Sequence, residues 1–255
     1  MKKMVKKPLV VLAIGVLLLL GSSVGATRAA VIYQDNAREV DFRTSNLEVN
    51  LLEGIDANNV NTITNGGALK FPGIPEDGIN IGQKYSESIV AKNSSKKFNE
   101  YIRVKVRKYW ATTVGEGKNA VVEKNTALDP ELIELSVKEG WFKNEAEHTP
   151  EMDVYYYTKP VAAGSSVEFI DGVTISDTVT RIVETEPSTK DGKSIKGTIH
   201  NVYLYDNEQF YVEVELDAVQ SHNGAQAIYG AWGVNVECDA VDDGKITNIE
   251  GVATK

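Results

Sequence analysis

Histidine is the residue type through which this chain could most directly bind a catalytic metal, and the sequence holds three: His148, His200 and His222. Zinc peptidases of the common type need two histidines one helical turn apart, with a glutamate beside the first to activate water. No His-Glu-x-x-His pattern occurs, and Glu145-Ala146-Glu147-His148 offers one ligand with no partner nearby. We interpret all three as surface histidines; the alternative is a zinc site assembled from distant residues.

Glycine and serine patterns give no better support for catalysis. Gly224, Gly230 and Gly233 are not followed by the lysine of a phosphate-binding loop and lack its strand-loop-helix frame. Ser94-Ser95 and Ser165-Ser166 lack the histidine and aspartate context of a nucleophilic serine. None of these residues is predicted to be catalytic.

An acidic turn near the C-terminus has the composition of a calcium site. Asp239, Asp242 and Asp243 precede Gly244, but their spacing misses the alternating oxygen ligands of an EF-hand loop. A solvated turn is the favoured interpretation. The sequence therefore predicts no metal ligand, no cofactor and no catalytic residue, in a protein that is not an enzyme.

The first thirty residues have the three-part organisation of a secretory signal peptide. A lysine-rich start precedes an uncharged, mostly apolar run over residues 8–20, and small residues follow. Because a membrane-spanning helix needs roughly 20 apolar residues, this shorter helix is predicted to be removed after export. An uncleaved N-terminal anchor is the alternative.

The cleavage site is predicted between Ala29 and Ala30. Signal peptidase accepts small side chains in two pockets, which Thr27 and Ala29 would fill; Val24 and Ala26 are the second choice. Signal peptidase is therefore the partner expected during export. A secreted, extracellular or cell-surface location follows.

Cleavage would leave a strongly acidic chain with one cysteine. Removing residues 1–29 takes away five positive charges and no negative charge, so the formal net charge changes from -9 to -14. Phosphate backbones and anionic lipids repel such a chain, which argues against nucleic-acid binding. No internal disulfide can form, and Cys238 is interpreted as a small buried apolar residue.

Most of the hydrophobic periodicity in the mature chain has a period of two, which is typical of half-buried strands. Residues 210–218 give the clearest case, because five apolar residues alternate with polar ones. Glu213 and Glu215 are predicted to point outward into water, where they are poorly placed for acid-base chemistry.

A second alternating stretch carries a basic face. Ile102, Val104 and Val106 alternate with basic residues, which are Arg103, Lys105 and Arg107. In so acidic a protein, this face is predicted to be solvated and paired with acidic neighbours.

Loops and short helices are predicted where the alternation of apolar and polar residues is interrupted. Residues 53–80 and 183–197 are rich in small and polar residues and predict irregular surface loops. Asp129-Pro130-Glu131 predicts one helical turn that runs into a strand. Residues 224–232 predict a short helix. Three of its residues have packing spacing: Ile228, Ala231 and Trp232.

Many short strands with few helices predict an all-β fold, a two-sheet sandwich preceded by the signal-peptide helix. Residues 1–29 are assigned to the signal peptide and residues 30–255 to a single β-sandwich domain.

Several stretches match one known family when taken in order. They are Gly25-Ala26-Thr27-Arg28-Ala29-Ala30, Asn46-Leu47-Glu48-Val49, residues 82–110, Asp129-Pro130-Glu131-Leu132-Ile133, Tyr155-Tyr156-Tyr157 and residues 214–232. Together they resemble the TasA/camelysin family, exported proteins of Gram-positive bacteria whose signal peptides are cut by a SipW-type peptidase. The resemblance covers most of the chain.

This resemblance implies a jelly-roll-like sandwich and often self-assembly at the cell surface. In the fibre-forming members, the N-terminal segment freed by cleavage pairs with a neighbouring subunit, and here that segment is residues 30–42. Its strand-pairing residues would be Ala30, Val31, Tyr33, Val40 and Phe42. Because camelysin is described as a metallo-endopeptidase, the resemblance also implies a peptidase alternative.

The function predicted from the sequence is that of a secreted, non-enzymatic structural protein of the cell surface or biofilm matrix. Its partners would be further copies of itself, in a homo-oligomer or fibre, or related matrix proteins. A camelysin-like surface metallo-endopeptidase is the first alternative. A monomeric adhesin or carbohydrate-binding module is the second.

Overall fold

A computed structural model describes residues 48–75, 78–115, 120–181, 183–190, 193–206, 208–239 and 244–254. Over residues 183–203 this description covers the backbone. The predicted signal peptide, the cleavage residues Thr27, Ala29 and Ala30, and the strand-pairing segment 30–42 lie outside the described residues. Asn46–Lys255 form one compact unit.

Strands are the main regular structure of the described part of the chain. In chain order its strands and helix are β1 (Val49–Asp56), β2 (Asn59–Thr62), β3 (Lys84–Asn93), β4 (Glu100–Val114), β5 (Val121–Asn125), β6 (Ile133–Val137), β7 (Trp141–Lys143), β8 (Met152–Tyr157), β9 (Ser166–Ile175), β10 (Val183–Lys190), β11 (Lys193–Tyr203), β12 (Gln209–Gln220), α1 (Gly224–Trp232), β13 (Val236–Cys238), β14 (Ile246–Ile249) and β15 (Val252–Ala253).

Two antiparallel sheets form the body of the molecule. The first has the order β2-β1-β3-β9-β6. The second has the order β12-β4-β8-β7, with β5 paired to the far end of β4. The predicted all-β, jelly-roll-like sandwich with short helices is confirmed.

The main hydrophobic core lies between these sheets, because alternate residues of each strand face the opposite sheet. Leu51, Ile89 and Phe169 come from the first sheet, and Val104 and Val214 from the second; all are buried. The inward apolar positions predicted for residues 102–106 and for 212–216 therefore lie in the core, whereas Phe210 is only partly buried against it and Ala218 is not part of it.

A third layer covers part of the outer face of the second sheet. Ile228 of α1 and Ile246 and Ile249 of β14 pack with Tyr101 and Tyr156 in a second buried cluster. The outward residues of 210–218 stay partly exposed, and the buried part of this face of β12 begins at Val219. Alternation within one strand cannot show that a later segment folds over its polar side.

The short helix predicted over residues 224–232 is confirmed, with one error in its buried face. Ile228 is fully buried and Trp232 packs beside it, but Ala231 is exposed. Ala227, one residue before Ile228, packs instead, because the helix presents that side to the sheet. No helix in the described ranges is long and apolar enough to cross a membrane.

Both predicted long loops contain strands. Within residues 53–80, the Asp56 carboxylate accepts hydrogen bonds from the backbone N–H of Asn58 (2.8 Å) and Asn59 (3.1 Å), and this turn joins β1 to β2 as a hairpin. Within residues 183–197, β10 and β11 pair as a second hairpin. The prediction relied on polar composition and was wrong, because backbone hydrogen bonds alone can hold the two strands of such a hairpin together.

The helical turn predicted at Asp129-Pro130-Glu131 is confirmed. The Asp129 side chain accepts a hydrogen bond from the Glu131 N–H at 2.9 Å, which fixes one 3-10 turn over Pro130–Leu132. The chain then enters β6 directly.

Candidate functional site

The basic face of β4 is neutralised by the acidic face of β12, its antiparallel neighbour. Arg103 lies 2.7 Å from Asp217, Lys105 lies 3.0 Å from both Glu215 and Asp217, and Arg107 lies 3.1 Å from Glu215. Hydrogen bonding from Lys105, followed by that from Arg107, holds the pKa of Glu215 below its usual range. The predicted pairing with acidic neighbours is confirmed, so this face is not a free binding stripe.

One end of the basic face is covered, so the prediction that it is solvated is wrong at Arg103. Its side chain is 10% exposed, and its guanidinium carbon lies 4.8 Å from the centroid of the Trp232 ring. Glu213 points outward as predicted and accepts a hydrogen bond from the Tyr109 hydroxyl at 3.0 Å. These groups have structural partners.

His148 has partners that its sequence neighbourhood did not reveal. Its Nδ1 lies 2.7 Å from Asp153 Oδ1. Ligand atoms of Glu131, His148 and Asp153 all lie within 4.8 Å of one another. The prediction that His148 has no partner nearby is wrong, because the chain turns back after His148 and brings Asp153 of β8 against it, beside the turn that carries Glu131.

Two lysines share this cluster and decide its chemistry. Lys143 Nζ lies 2.8 Å from Asp153 Oδ1, and Lys108 Nζ lies 3.6 Å from Glu131 and 3.7 Å from Asp153 Oδ2. Burial acts to raise the pKa of Asp153, but hydrogen bonds from Lys143 and His148 outweigh it and lower the pKa.

An imidazole and two carboxylates are a donor set that a divalent transition metal accepts. Here the two ammonium groups already supply the positive charge, so a metal would have to displace Lys143 from Asp153. The cluster fits a partly buried ion network better than a metal centre.

The other candidate residues named from the sequence do not form a group among the described residues. His222 is exposed, His200 lies in β11 opposite Glu186, and Asp242 and Asp243 lie outside the described residues. Cys238 is half-buried, as an apolar residue would be, and its Sγ lies 3.7 Å from the Tyr101 hydroxyl. Burial raises the pKa of this thiol.

The clearest candidate binding feature is the outer edge of β12, which faces away from β4. This edge is covered by a segment that is not a strand. Residues 65–71, called the cover segment below, run along it. Gly66 N and Leu69 N donate to the carbonyls of Val214 and Val212, each at 2.8 Å, and Val214 N reaches the Gly67 carbonyl at 3.4 Å. Three backbone hydrogen bonds thus pair this segment with a strand of 12 residues.

Asn65 holds the beginning of the cover segment with its side chain. Its Oδ1 accepts from the Leu216 N–H at 2.6 Å, and its Nδ2 donates to the Leu216 carbonyl at 2.8 Å. The amide therefore imitates the two hydrogen bonds that a paired strand would make at this position.

The end of the cover segment is anchored on a buried carboxylate. Glu53 Oε1 accepts hydrogen bonds from the backbone N–H groups of Lys70 and Phe71. Leu69 and Phe71 are each 8% exposed, and the Phe71 ring lies 5.0 Å from that of Phe210 on β12. The segment therefore closes the sandwich between β1 and β12.

Glu87 lies beside this anchor as a fully buried second carboxyl group. Neither of its oxygens accepts a hydrogen bond from any described residue. Burial, followed by the proximity of Glu53, raises its pKa to about 9. Glu87 is therefore a neutral acid at neutral pH.

Sequence reasoning missed Glu53 and Glu87, although a signal was present. Glu53 continues the alternation of Val49 and Leu51, and Glu87 falls between the inward Tyr85 and Ile89. Asn65 gave no such signal, because its role depends on which strand edge passes beside it.

No family model, curated protein or solved structure matches this chain.

Proposed function

We propose that this protein is secreted and is a structural subunit of the cell surface or of a biofilm matrix, in which copies join by pairing β-strands. The all-β sandwich and the signal-peptide pattern of residues 1–29 support this proposal. The charged residues of β4 and β12 pair with one another, and this also supports a structural role. The resemblance to the TasA/camelysin family supports it as well.

The single observation that carries the proposal is the length of strand edge that pairs with no other strand among the described residues. β12 has 12 residues and a strand partner on one side, and β10 and β11 form a two-stranded sheet with two outer edges. Backbone N–H and C=O groups along such edges accept a further strand.

The mechanism would begin with export. Signal peptidase would remove residues 1–29 and leave Ala30 as the new N-terminus. Residues 30–42 of one copy would then pair with a strand edge of the next copy. Val40 and Phe42 alternate with Glu39 and Asp41, so one side of this strand would be apolar.

The test compares the chain 30–255 with the chain 43–255 by electron microscopy and light scattering. We expect fibres or oligomers from the longer chain and a single small species from the shorter. Val40→Ser with Phe42→Ser should also abolish assembly, whereas Arg38→Ser, outside the apolar pair, is the matched control. A shorter chain that polymerises like the longer one would refute the donor-strand step.

A mature chain that stays monomeric would refute assembly itself. If that monomer bound glycans, the adhesin or carbohydrate-binding alternative would take its place.

A surface metallo-endopeptidase is the second candidate, and the observation that favours it is the grouping of Glu131, His148 and Asp153. Chelator-sensitive cleavage of casein, lost in Asp153→Asn and retained in Glu151→Gln, would support it. Glu151 is a suitable control because it is paired outside this group with Lys124. No cleavage and no bound zinc in the purified protein would remove this candidate.

A further inference from the structure

We propose that residues 65–71 are a removable cover on β12, and that residues 30–42 of a second copy replace them during assembly. This inference rests on the proposed function. It adds which edge accepts the incoming strand and what blocks that edge in a single subunit.

The cover segment occupies its place with fewer bonds than a strand would make. It offers β12 three backbone hydrogen bonds, one of them 3.4 Å long, and the Asn65 amide imitates two more. A paired strand would continue the ladder toward both ends of β12, which extends from Gln209 to Gln220. An incoming strand of residues 30–42 is long enough to do so.

The side chains of the cover segment match those of the incoming strand in kind and spacing. Leu69 and Phe71 enter the core at alternate positions with Lys70 between them. Val40 and Phe42 are likewise an aliphatic and an aromatic residue, with Asp41 between them. The space that Leu69 and Phe71 fill between β1 and β12 would accept the second pair.

The cover segment also holds a strained backbone, which a strand would not need. Phe71 has a φ of +52°, in the left-handed region that bulky residues rarely adopt. This conformation turns its N–H toward Glu53 and away from β12. Replacement of Phe71 by Phe42 in an extended conformation would relieve that strain.

Within the two sandwich sheets, the other edges suit an incoming strand less well; the β10–β11 hairpin, a separate two-stranded sheet, is the alternative acceptor that the peptide test below distinguishes. β7 has three residues and β2 has four. β6 has five residues, its register shifts between Leu135 and Val137, and Lys108 Nζ already donates to the Ile133 carbonyl. Short or interrupted edges of this kind limit pairing.

A disulfide that ties the cover segment to β12 tests the proposal. Ala68 and Glu213 face each other as an isolated antiparallel bridge, flanked by the bonds from Leu69 N to Val212 and from Val214 N to Gly67. Such a non-hydrogen-bonded pair has Cα atoms about 4.5 Å apart, a distance that a disulfide spans. The double variant Ala68→Cys with Glu213→Cys would therefore lock the segment when oxidised.

In the chain 30–255, we expect the oxidised double variant to assemble at least about tenfold more slowly than the same sample after reduction, because the covered edge cannot open. Mass spectrometry would verify the disulfide. The two single variants are matched controls and should assemble alike with and without reductant. An oxidised, verified variant that assembles as fast as its reduced form would overturn the proposal.

A second variant acts in the opposite direction. Asn65→Ala removes both side-chain hydrogen bonds to Leu216 and should speed assembly by about tenfold. If Asn65 had only a structural role, the variant would assemble at the same rate as the wild type or more slowly. That result would count against the cover segment. Circular dichroism would verify that the variant is folded.

A synthetic peptide of residues 30–42 separates this inference from the proposed function. It should bind the chain 43–255 carrying the double variant when reduced, and not when oxidised. Binding in both states would place the incoming strand at another edge while leaving the proposed function intact. A mature wild-type chain that stays monomeric and binds no peptide would overturn both.

Discussion

At the scale of single residues, buried carboxyl groups are the least expected feature of this core. Glu87 is fully buried beside Glu53, and Glu100, at the start of β4, is fully buried as well. Burial is the main cause that raises the pKa of Glu100 to about 7. A charged carboxylate in such a place is costly, so the fold favours the protonated form.

Glu87→Gln should stabilise the protein, and more so at higher pH. The folded-state pKa of about 9 lies above the ordinary value of 4.5, so between these pH values the folded chain keeps a proton that the unfolded chain has released. Stability of the wild type therefore falls as pH rises through this window, by up to about 1.4 kcal/mol per pH unit from this group. A glutamine stays neutral at every pH.

Urea unfolding of wild type and variant at pH 5, 7 and 8 measures the effect. Glu134→Gln, at an exposed position of β6, is the control and should leave the pH dependence unchanged. Equal slopes for wild type and Glu87→Gln would mean that Glu87 is ionised in the folded protein.

At the scale of elements, the strand pair β4–β12 organises both sides of the second sheet. Its inward residues build the main core and its outward residues build the ion-pair ladder. At one end, α1 and the small sheet β13-β14-β15 cover the outward face and bury Tyr101, Val219 and Ile228. The C-terminal layer is therefore a second core and contributes its own share of the stability.

Ile228→Ala should destabilise the protein by about 2–4 kcal/mol, because it leaves a cavity in the second cluster. Ile228 is fully buried on α1. Tyr229→Ala, at the next position and 57% exposed, is the control and should change stability by less than about 0.5 kcal/mol. Thermal and urea unfolding measure both variants. A cost for Ile228→Ala no larger than that of its neighbour would show that the third layer is only loosely docked.

At the scale of the whole molecule, the unit that holds both sheets begins shortly before the first strand. β1 begins at Val49, and Asn46–Lys255 form one compact unit.

The chain 46–255 should therefore fold, and its thermal midpoint should match that of the monomeric chain 30–255 within about 2 °C, a shift that corresponds to less than about 1 kcal/mol. Circular dichroism at low protein concentration gives the comparison. A much lower midpoint for the shorter chain would mean that residues 30–45 belong to the core of their own subunit.

The features that could be predicted from the sequence are those that depend on short-range physics. Period-two alternation over residues 102–107 and 210–218 was enough to predict two half-buried strands, because side chains in a strand must alternate between faces. The Asp129-Pro130-Glu131 turn and the helix from Gly224 were equally readable, since caps and turns are local interactions. The export and assembly predictions stay predictions.

Contacts between distant groups were visible in the tertiary structure alone. The burial of Arg103 under Trp232 and the cover of residues 65–71 on β12 join segments far apart in the chain, and the grouping of His148 with Glu131 and Asp153 depends on how the chain turns between them. Local propensity carries no record of such contacts, because strand register and layer order arise from the packing of the whole chain. For the same reason Glu53 and Glu87 could be placed on an inward face from the sequence, but not beside each other.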